Sequence, residues 1–215
     1  MPARLLAISD PNPSQARPAE RDDMTLIGVA RSLSRDQAVF AEGAAADFVY
    51  KVMSGAVRTF RLLADGRRQI TGFFLPGDVF GIEARATHAA TAEAICESVL
   101  VSARRASLGA DGEALGQLSR CVLRELHRTR DHLLTLGRRS AVERLASFLI
   151  DLADRGRAAD RLALPMSRQD IADYLGLTIE TVSRTLTQMQ ASGLVRVDGR
   201  QVQLVRRAAL ADLCE

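Results

Sequence analysis

Four polar side chains near the C-terminal end of the chain could together form hydrogen bonds with DNA bases. Glu180, Ser183, Arg184 and Thr187 are spaced so that, on a helix, they share one face. An arginine can donate two hydrogen bonds to guanine, and a carboxylate can accept one from the amino group of cytosine or adenine. A helix is also narrow enough to enter the major groove. We therefore predict that Glu180, Ser183 and Arg184 contact bases.

The segment around these residues has the pattern of two helices joined by a tight turn. Ser167 and Asp170 fit an S-x-x-D capping box at the start of the first helix. Gly176 can end that helix because glycine adopts a positive φ without steric cost, and Thr178 can cap the second helix. The apolar residues expected to face inward are Ile171, Ala172 and Leu175 on the first helix, Leu177 in the turn, and Val182, Leu186 and Met189 on the second helix.

The residues that follow predict a β-hairpin, or wing, beside the helix pair. Asp198 and Gly199 form a turn dipeptide between the runs LVRV and QVQLV, and Arg200 would lie at or beside the tip. Helix N-termini also attract phosphate groups. The predicted DNA phosphate contacts are Ser167, Gln169, Thr178, Thr187 and Arg200. The competing interpretation is an ordinary helix pair with a solvated polar face.

The segment IADYLGLTIETVSRTLTQMQASGLVRV resembles the DNA-binding helices of the CRP/FNR superfamily of bacterial transcription regulators. Its E-x-x-S-R pattern, at Glu180, Ser183 and Arg184, is similar to the FNR/FixK branch, whereas the cyclic-AMP receptor branch carries E-x-x-G-R. The wording GLTIETVSR is most similar to FixK-type regulators, and the resemblance covers roughly residues 35–210. It implies a homodimer on an inverted repeat such as TTGAT-N4-ATCAA, usually an activator that contacts RNA polymerase, in low-oxygen or nitrogen-fixation control.

Residues 37–102 have the pattern of short strands separated by glycine-marked turns. Ser54-Gly55 and Asp65-Gly66 are turn dipeptides between apolar runs, and Pro76-Gly77 fits a type II turn. The spacing of Val52 and Gly55, followed by PGDVFG, resembles the β-roll of cyclic-nucleotide-binding domains. The predicted fold class is α+β: an N-terminal β-roll, a long dimerisation helix and a C-terminal winged helix-turn-helix.

The β-roll lacks the residues with which the family holds a cyclic phosphate. Nucleotide binders follow an F-G-E stretch with an Arg-Ser or Arg-Thr pair, but here Ile82 separates Gly81 from Glu83, and the pair aligns with His88-Ala89. Loss of the arginine removes the charge-assisted contact to the phosphate. We therefore predict no cyclic nucleotide and no other cofactor. His88 is expected to be a surface residue on a polar loop, which disfavours a haem site.

Residues 111–136 have a long helical pattern with apolar side chains at steps of three and four. This stripe predicts a coiled-coil-like seam between two copies of the chain, although part of it would pack on its own β-roll. The predicted dimer-interface residues are Leu115, Leu118, Val122, Leu126, Thr129, Leu133 and Leu136.

The same patterns divide the chain into four parts. These are a proline-rich N-terminal arm at 1–22, a β-roll domain at 23–110, the dimerisation helix at 111–137 and the DNA-binding domain at 138–215. A short helix is predicted around residues 24–31. Ser140 should cap a helix over residues 141–153, and a polar connection follows over residues 154–164.

Composition limits the compartment and the chemistry. The chain has 215 residues, is 47% hydrophobic and carries a net charge of only +3, so placement rather than total charge must support DNA binding. Its three cysteines are far apart, which disfavours a disulfide framework and fits a reducing cytoplasm. No signal peptide or membrane helix is indicated. Cys214 is expected to be the most exposed thiol; the favoured interpretation is an inert tail residue, and a redox site is the alternative.

The remaining function classes are separated by what the sequence lacks. The N-terminal arm has no cysteine, so the iron–sulfur cluster that FNR carries there is not expected. We find no Ser-His-Asp order, phosphate loop or metal-ligand spacing, which argues against an enzyme and a metal site. Two alternatives to an effector-free regulator stay open: a regulator of the same fold gated by another ligand, and a cyclic-nucleotide-binding module with no role at DNA.

Overall fold

The computed structural model describes residues 24–108, 112–138, 140–156 and 160–214. The predicted arm at residues 1–22 lies outside the described residues, as does Arg139 in the predicted domain boundary. The α+β architecture predicted from the sequence is confirmed: two antiparallel sheets are followed by a long helix and a helical part with a small third sheet.

The N-terminal part is a β-roll of eight short strands arranged as two four-stranded sheets. The strand order is β1-β8-β3-β6 in one sheet and β2-β7-β4-β5 in the other. The strands are β1 Val29–Leu33, β2 Ala38–Phe40, β3 Phe48–Ser54, β4 Val57–Leu62, β5 Arg68–Phe74, β6 Val79–Phe80, β7 Thr91–Ala94 and β8 Ser98–Arg104. A short 3-10 helix, Arg105–Ser107, leads out of β8.

The first strand corrects a sequence prediction. A helix was expected around residues 24–31, but Val29 begins β1, which pairs antiparallel with β8. Tertiary pairing therefore overrides the weak local signal. Strand β3 also departs from simple alternation, since Val49 and Tyr50 are both buried. Tyr50 faces the interior of the roll, whereas Val49 packs with Met24 and Cys121 on the other side of the sheet.

The predicted turns form, with one difference in what they connect. The Leu75 carbonyl accepts a hydrogen bond from Asp78 N at 2.9 Å, which closes the turn at Pro76-Gly77, and Gly77 has φ of 101°. Asp65-Gly66 joins the paired strands β4 and β5. Ser54-Gly55 instead joins β3 to β4, which belong to different sheets, so it is a corner and not a hairpin.

Two helices connect the β-roll to the DNA-binding part. Helix α1, Gly112–Arg138, has 27 residues and contains the predicted dimerisation stripe. Helix α2, Ala141–Arg155, is capped by Ser140, as predicted, and the cap is a complete capping box with Glu143. Arg144 donates to the carbonyls of Leu136 and Leu175 at 3.0 and 2.9 Å, and it thereby ties the end of α1 to a third helix.

The C-terminal part is the predicted winged helix-turn-helix with two additional elements. Helix α3 is Arg168–Leu175, helix α4 is Ile179–Ala191, and the wing is formed by β10 Val195–Asp198 and β11 Gln201–Leu204. A further strand, β9 Arg161–Ala163, pairs with β11 inside the segment predicted as a polar connection. A short helix, α5 Arg207–Asp212, follows the wing.

The two parts of the chain share one hydrophobic core. Phe73 of β5 contacts Phe148 of α2 and Tyr174 of α3, with ring centroids 6.0 and 5.1 Å apart. Phe60 and Ile70 of the β-roll belong to the same buried cluster. The β-roll and the helix-turn-helix are therefore in direct apolar contact. Among the described residues, no helix is long and apolar enough to span a membrane.

Candidate nucleic-acid interface

The helix-turn-helix is closed by the caps that the sequence predicts. Ser167 and Asp170 form a complete capping box on α3. Gly176 ends α3 with φ 62° and ψ 40°, the left-handed conformation that favours glycine. Thr178 caps α4 by accepting a hydrogen bond from Thr181 N at 3.2 Å. Local hydrogen bonds therefore close the end of α3 and the start of α4, which restricts the angle between the two helices.

Helix α4 buries its apolar stripe and leaves the predicted base-contact face towards solvent. The buried residues include the predicted Val182, Leu186 and Met189. Glu180, Arg184 and Thr187 are exposed, and Ser183 is half-buried. The structure thus places the three predicted base-contact residues on one accessible face, together with Thr187.

At neutral pH the accessible face of α4 carries one negative and one positive side chain, Glu180 and Arg184. Hydrogen bonds from its own backbone N–H and from the Thr178 hydroxyl lower the pKa of the Glu180 carboxyl, and the charge of Arg184 adds to the effect. Glu180 is therefore ionised and can only accept hydrogen bonds. Arg184, four residues on, offers donors alone. The face therefore presents a hydrogen-bond acceptor and a hydrogen-bond donor of opposite charge side by side. It can bind base edges that donate as well as base edges that accept.

Arg168 is a neighbour of this face that sequence reasoning missed. It is the first residue of α3, it is exposed, and its Nη1 lies 3.3 Å from Ser183 Oγ. The bond joins the start of α3 to the accessible face of α4. The signal in the sequence was weak, since an arginine directly after a helix cap is common on ordinary solvated helices.

The predicted phosphate contacts differ in how free their donors are. Ser167 already donates its backbone N–H and its hydroxyl to Asp170 Oδ2, at 2.9 and 2.8 Å, so both donors are committed to the cap. Gln169 and Thr178 are exposed at the starts of the two helices, although Gln169 Nε2 donates to Asp173 Oδ1 at 2.6 Å. Thr187 Oγ1 donates to the Ser183 carbonyl of its own helix.

The wing places its turn where the sequence predicts it. Asp198 pairs with Gln201, so the hairpin has a two-residue loop, and Gly199 within it has φ of 58°. Arg200 completes the loop and is exposed. Its Nη1 donates to the Pro165 carbonyl at 3.2 Å, just ahead of α3, which draws the wing towards the start of the helix-turn-helix.

The long helix α1 leaves an apolar stripe exposed. Four of the predicted seam residues are apolar and exposed, and Thr129, which lies between them, is exposed too. The four are Leu115, Val122, Leu126 and Leu133. Leu118 and Leu136 are half-buried, and Leu118 packs against the β-roll cluster that contains Cys121. Leu123 and Leu134 are also exposed, which widens the stripe beyond the predicted set.

The interior of the β-roll corrects the expectation for His88. This residue is only 2% exposed, and its ring stacks on Phe40 with centroids 3.5 Å apart. Phe40 in turn contacts Tyr50 and Phe80, at 5.5 and 6.1 Å between ring centroids. His88 is therefore part of an aromatic core, and the prediction of a surface residue was wrong because loop residues can turn inward once the sheets close over them.

Cys214 is half-buried and packs against the core of the helical part. That it is the most exposed thiol stays a prediction, because another cysteine has the same degree of burial. Its Sγ lies 3.3 Å from the hydroxyl of Ser147 and from the carbonyl of Leu210. Cys96 is half-buried as well, and Cys121 is buried. Across the described ranges, no group of acidic, histidine or cysteine side chains could hold a metal ion.

Comparison with known proteins agrees with both halves of this architecture. Residues 30–110 match the cyclic nucleotide-binding domain, and residues 143–213 match the Crp-like helix-turn-helix domain. The chain is 46% identical over 177 residues to the nitrogen fixation regulation protein FixK of Rhizobium meliloti, covering 82% of each protein. It is 44% identical over 208 residues to FixK of Azorhizobium caulinodans, covering 92% of this chain and 83% of the relative.

A solved structure extends the similarity to three dimensions. The structure of FixK2 from Bradyrhizobium japonicum is 44% identical in sequence and superposes with a TM-score of 0.84, covering 88% of this chain and 98% of that one. These relatives are regulators and not enzymes. The chain therefore belongs to the CRP/FNR family of DNA-binding transcription regulators, and within that family it is FixK-like.

Proposed function

We propose that this regulator acts as a homodimer on an inverted repeat similar to TTGAT-N4-ATCAA, and that it activates genes of low-oxygen respiration and nitrogen fixation by contacting RNA polymerase in the cytoplasm. The observation that carries the proposal is the accessible face of α4, where Glu180, Ser183 and Arg184 lie side by side on a helix capped at its start. Arg184 would donate to guanine, Glu180 would accept from a base amine, and Ser183 would make a smaller contact.

The same proposal assigns supporting roles around the face. Gln169, Thr178, Thr187 and Arg200 would hold phosphates on either side of the groove, with backbone N–H groups at the helix starts. Ser167 would contribute only if DNA displaced its bonds to Asp170. The exposed stripe of α1 would join two copies, so that two α4 helices meet successive major grooves about 34 Å apart.

The β-roll would serve as a scaffold without a cyclic-nucleotide switch. His88 stands where the resemblance places the phosphate-binding arginine, and its ring is packed against Phe40 in an aromatic cluster. A ring in that position occupies interior space and lacks the two-pronged guanidinium group with which an arginine binds a phosphate. Control would then act through synthesis or turnover of the protein rather than through a ligand.

The test is a fluorescence anisotropy titration of the purified protein on a TTGAT-N4-ATCAA duplex at about 0.15 M salt, since such affinities depend strongly on salt. Specific binding without cyclic AMP is expected, with a loss of about 1–3 kcal/mol per half-site in Arg184→Ala. The matched control is Arg85→Ala, which removes an exposed arginine of the β-roll and should bind as wild type.

Two outcomes would contradict parts of this proposal. Binding that requires cyclic AMP would show that His88 does not exclude a nucleotide. Equal affinity for the repeat and for a duplex with scrambled half-sites would exclude sequence reading by α4.

A further inference from the structure

One carboxylate connects the β-roll to the start of the helix-turn-helix. Asp170 of α3 is 2% exposed, and its Oδ1 accepts hydrogen bonds from two arginines of the β-roll. Arg58 Nη1 on β4 lies 3.1 Å away, and Arg68 Nη2 on β5 lies 2.6 Å away. These partners are more than a hundred residues distant in sequence, so the contact exists only when the two parts of the fold meet.

The other oxygen of the same carboxylate caps α3. Asp170 Oδ2 accepts from the backbone N–H and the hydroxyl of Ser167. Burial opposes ionisation of Asp170, but the Ser167 hydrogen bonds and the charges of Arg58 and Arg68 outweigh it and lower its pKa. The helix cap and the contact to the β-roll therefore share one ionised group, and moving α3 away from the β-roll would disturb both.

A second set of bonds prevents α3 from turning about this point. Arg68 also binds Asp173, one turn further along α3, through Nε at 3.0 Å and Nη2 at 2.9 Å. The neighbouring Gln69 donates to the Asp173 carbonyl at 2.8 Å. Contacts at two successive turns of one helix fix its direction as well as its position.

The β-roll holds Arg58 itself in place. Its Nη2 donates to Glu93 of β7 at 2.8 Å and to Asp36 at 3.1 Å. Arg58 is 9% exposed, so it has little freedom to follow a moving helix. Among the described residues, by contrast, Arg68 forms ion pairs only with α3, at Asp170 and Asp173.

We propose that Arg58 and Arg68 are positioning residues for DNA recognition, which act through Asp170 to set the orientation of the helix-turn-helix and so the spacing of half-sites that the dimer accepts. This inference rests on the proposed function, because spacing has meaning only for two copies on one duplex. Helix α4 is joined to α3 by the capped turn at Gly176, so a rotation of α3 displaces the base-contact face. Two half-sites must lie in phase on the DNA helix, and a small change of angle shifts that phase.

The test compares Arg68→Met with Arg61→Met. Both variants lose one arginine of the same hairpin, but the ion pair of Arg61 is to Glu42 within the β-roll, at 2.9 Å. Each protein is titrated on inverted repeats with spacers of three, four and five base pairs, and on a duplex with a single half-site. Arg68→Lys, which keeps the charge, is the conservative variant.

We expect Arg68→Met to lose several-fold of the discrimination between spacers while its affinity for the single half-site changes less than about twofold. Arg61→Met should retain the wild-type preference, and Arg68→Lys should recover part of it. A purely structural role would instead weaken all duplexes alike. Unchanged spacer preference in Arg68→Met would overturn the proposal, and so would tighter binding to every spacer, because the contact would then oppose DNA binding.

A measurement without DNA separates this inference from the proposed function. Amide residual dipolar couplings of the free dimer report the relative orientation of the β-roll and the helix-turn-helix. The wild type and Arg61→Met should fit one alignment tensor for both parts, and Arg68→Met should require two. If Arg68→Met fitted one common tensor, the positioning role would be refuted, whether or not the wild type binds DNA. If the wild type bound no duplex, that result would count against the proposed function and not against the positioning role.

Discussion

His132 lies at the junction between α1 and α3, where it stacks on an aromatic ring and where burial affects its protonation. The imidazole of His132 lies on the ring of Tyr174, with centroids 3.9 Å apart and planes at 11°. Tyr174 also contacts Phe148, at 5.7 Å between ring centroids. Burial lowers the pKa of His132, and the nearby charge of Asp151 only partly opposes this. His132 is therefore stable here as a neutral ring.

This state predicts a dependence of stability on pH that depends on His132. Because the pKa of His132 is lowered in the folded protein, the unfolded chain binds more protons at mildly acidic pH. The free energy of unfolding therefore has its highest value above the ordinary histidine pKa and decreases as the pH falls below it. His132→Phe keeps a flat ring but cannot be protonated. We expect denaturant titrations between pH 7 and pH 5 to show a shallower decline in His132→Phe than in wild type.

The matched control for this prediction is His127→Phe, which changes an exposed residue of the same helix. It should decline with pH as the wild type does. Equal slopes in wild type and His132→Phe would mean that protonation of His132 is tolerated at the junction.

At the level of residues, the sequence predicted exposure where a helical period sets it, and failed where burial depends on distant parts of the chain. The polar face of α4 followed from its helical spacing, because the inward stripe and the outward face are set by the same period. The burial of His88 did not follow, since its ring packs on Phe40, which is distant in sequence. The DNA contacts themselves stay a prediction.

Among the elements, the helix boundaries followed most directly from local chemistry. The cap at Ser140, the capping box at Ser167 and the glycine at the end of α3 all form as predicted. The missed elements are β1, β9 and α5, which have three to six residues. Elements this short carry little periodic signal, and the two strands depend on pairing with distant partners.

The turn of the helix-turn-helix gives a prediction at this scale. A Cβ added at Gly176 would meet Arg144 Nη1 at 3.5 Å and Leu136 Cδ2 at 3.7 Å, which are ordinary contacts. The cost of Gly176→Ala is therefore conformational, and we expect thermal or denaturant unfolding to show a loss of about 1 kcal/mol. Gly176→Asn should lose less, because asparagine tolerates the left-handed region better.

Gly137→Ala is the control for that series. Gly137 lies inside α1, with no neighbouring atom within 4 Å of an added Cβ. Alanine is the better helix former there, so this variant should be neutral or more stable by up to about 1 kcal/mol. A destabilisation equal to that of Gly176→Ala would show that the backbone conformation at Gly176 is not the cause.

The whole molecule is organised by contacts that no local pattern encodes. The core that runs from Phe73 to α2 and α3, and the ion pairs of Asp170, join residues from opposite ends of the chain. Arg155 of α2 adds another link, since it binds Asp78 of the β-roll at 2.6 Å. The sequence predicted a β-roll and a helix-turn-helix as separate units, and the four-part domain division stays a prediction. The contacts that join the two units could be seen only in three dimensions.

Dimerisation through α1 is the last prediction, and it concerns the molecule as an assembly. Leu126 is 42% exposed in one chain and lies near the middle of the predicted seam. Full burial of a leucine contributes about 1.5–3 kcal/mol, of which the exposed part of Leu126 can gain less than half, and a two-fold axis counts each substitution twice. Leu126→Glu should therefore weaken self-association about tenfold or more, as measured by sedimentation equilibrium.

The matched control is Leu62→Glu, which places the same charge at a leucine that is exposed on the β4–β5 hairpin. It should remain dimeric, and both variants should keep the wild-type circular dichroism spectrum. Leu126→Glu should bind a single half-site as a monomer but lose the added affinity of the inverted repeat, because the second half-site no longer has a tethered partner. A dimer that persists in Leu126→Glu would exclude α1 as the seam. The exposed stripe of Val122, Leu123 and Leu133 would then need a different explanation.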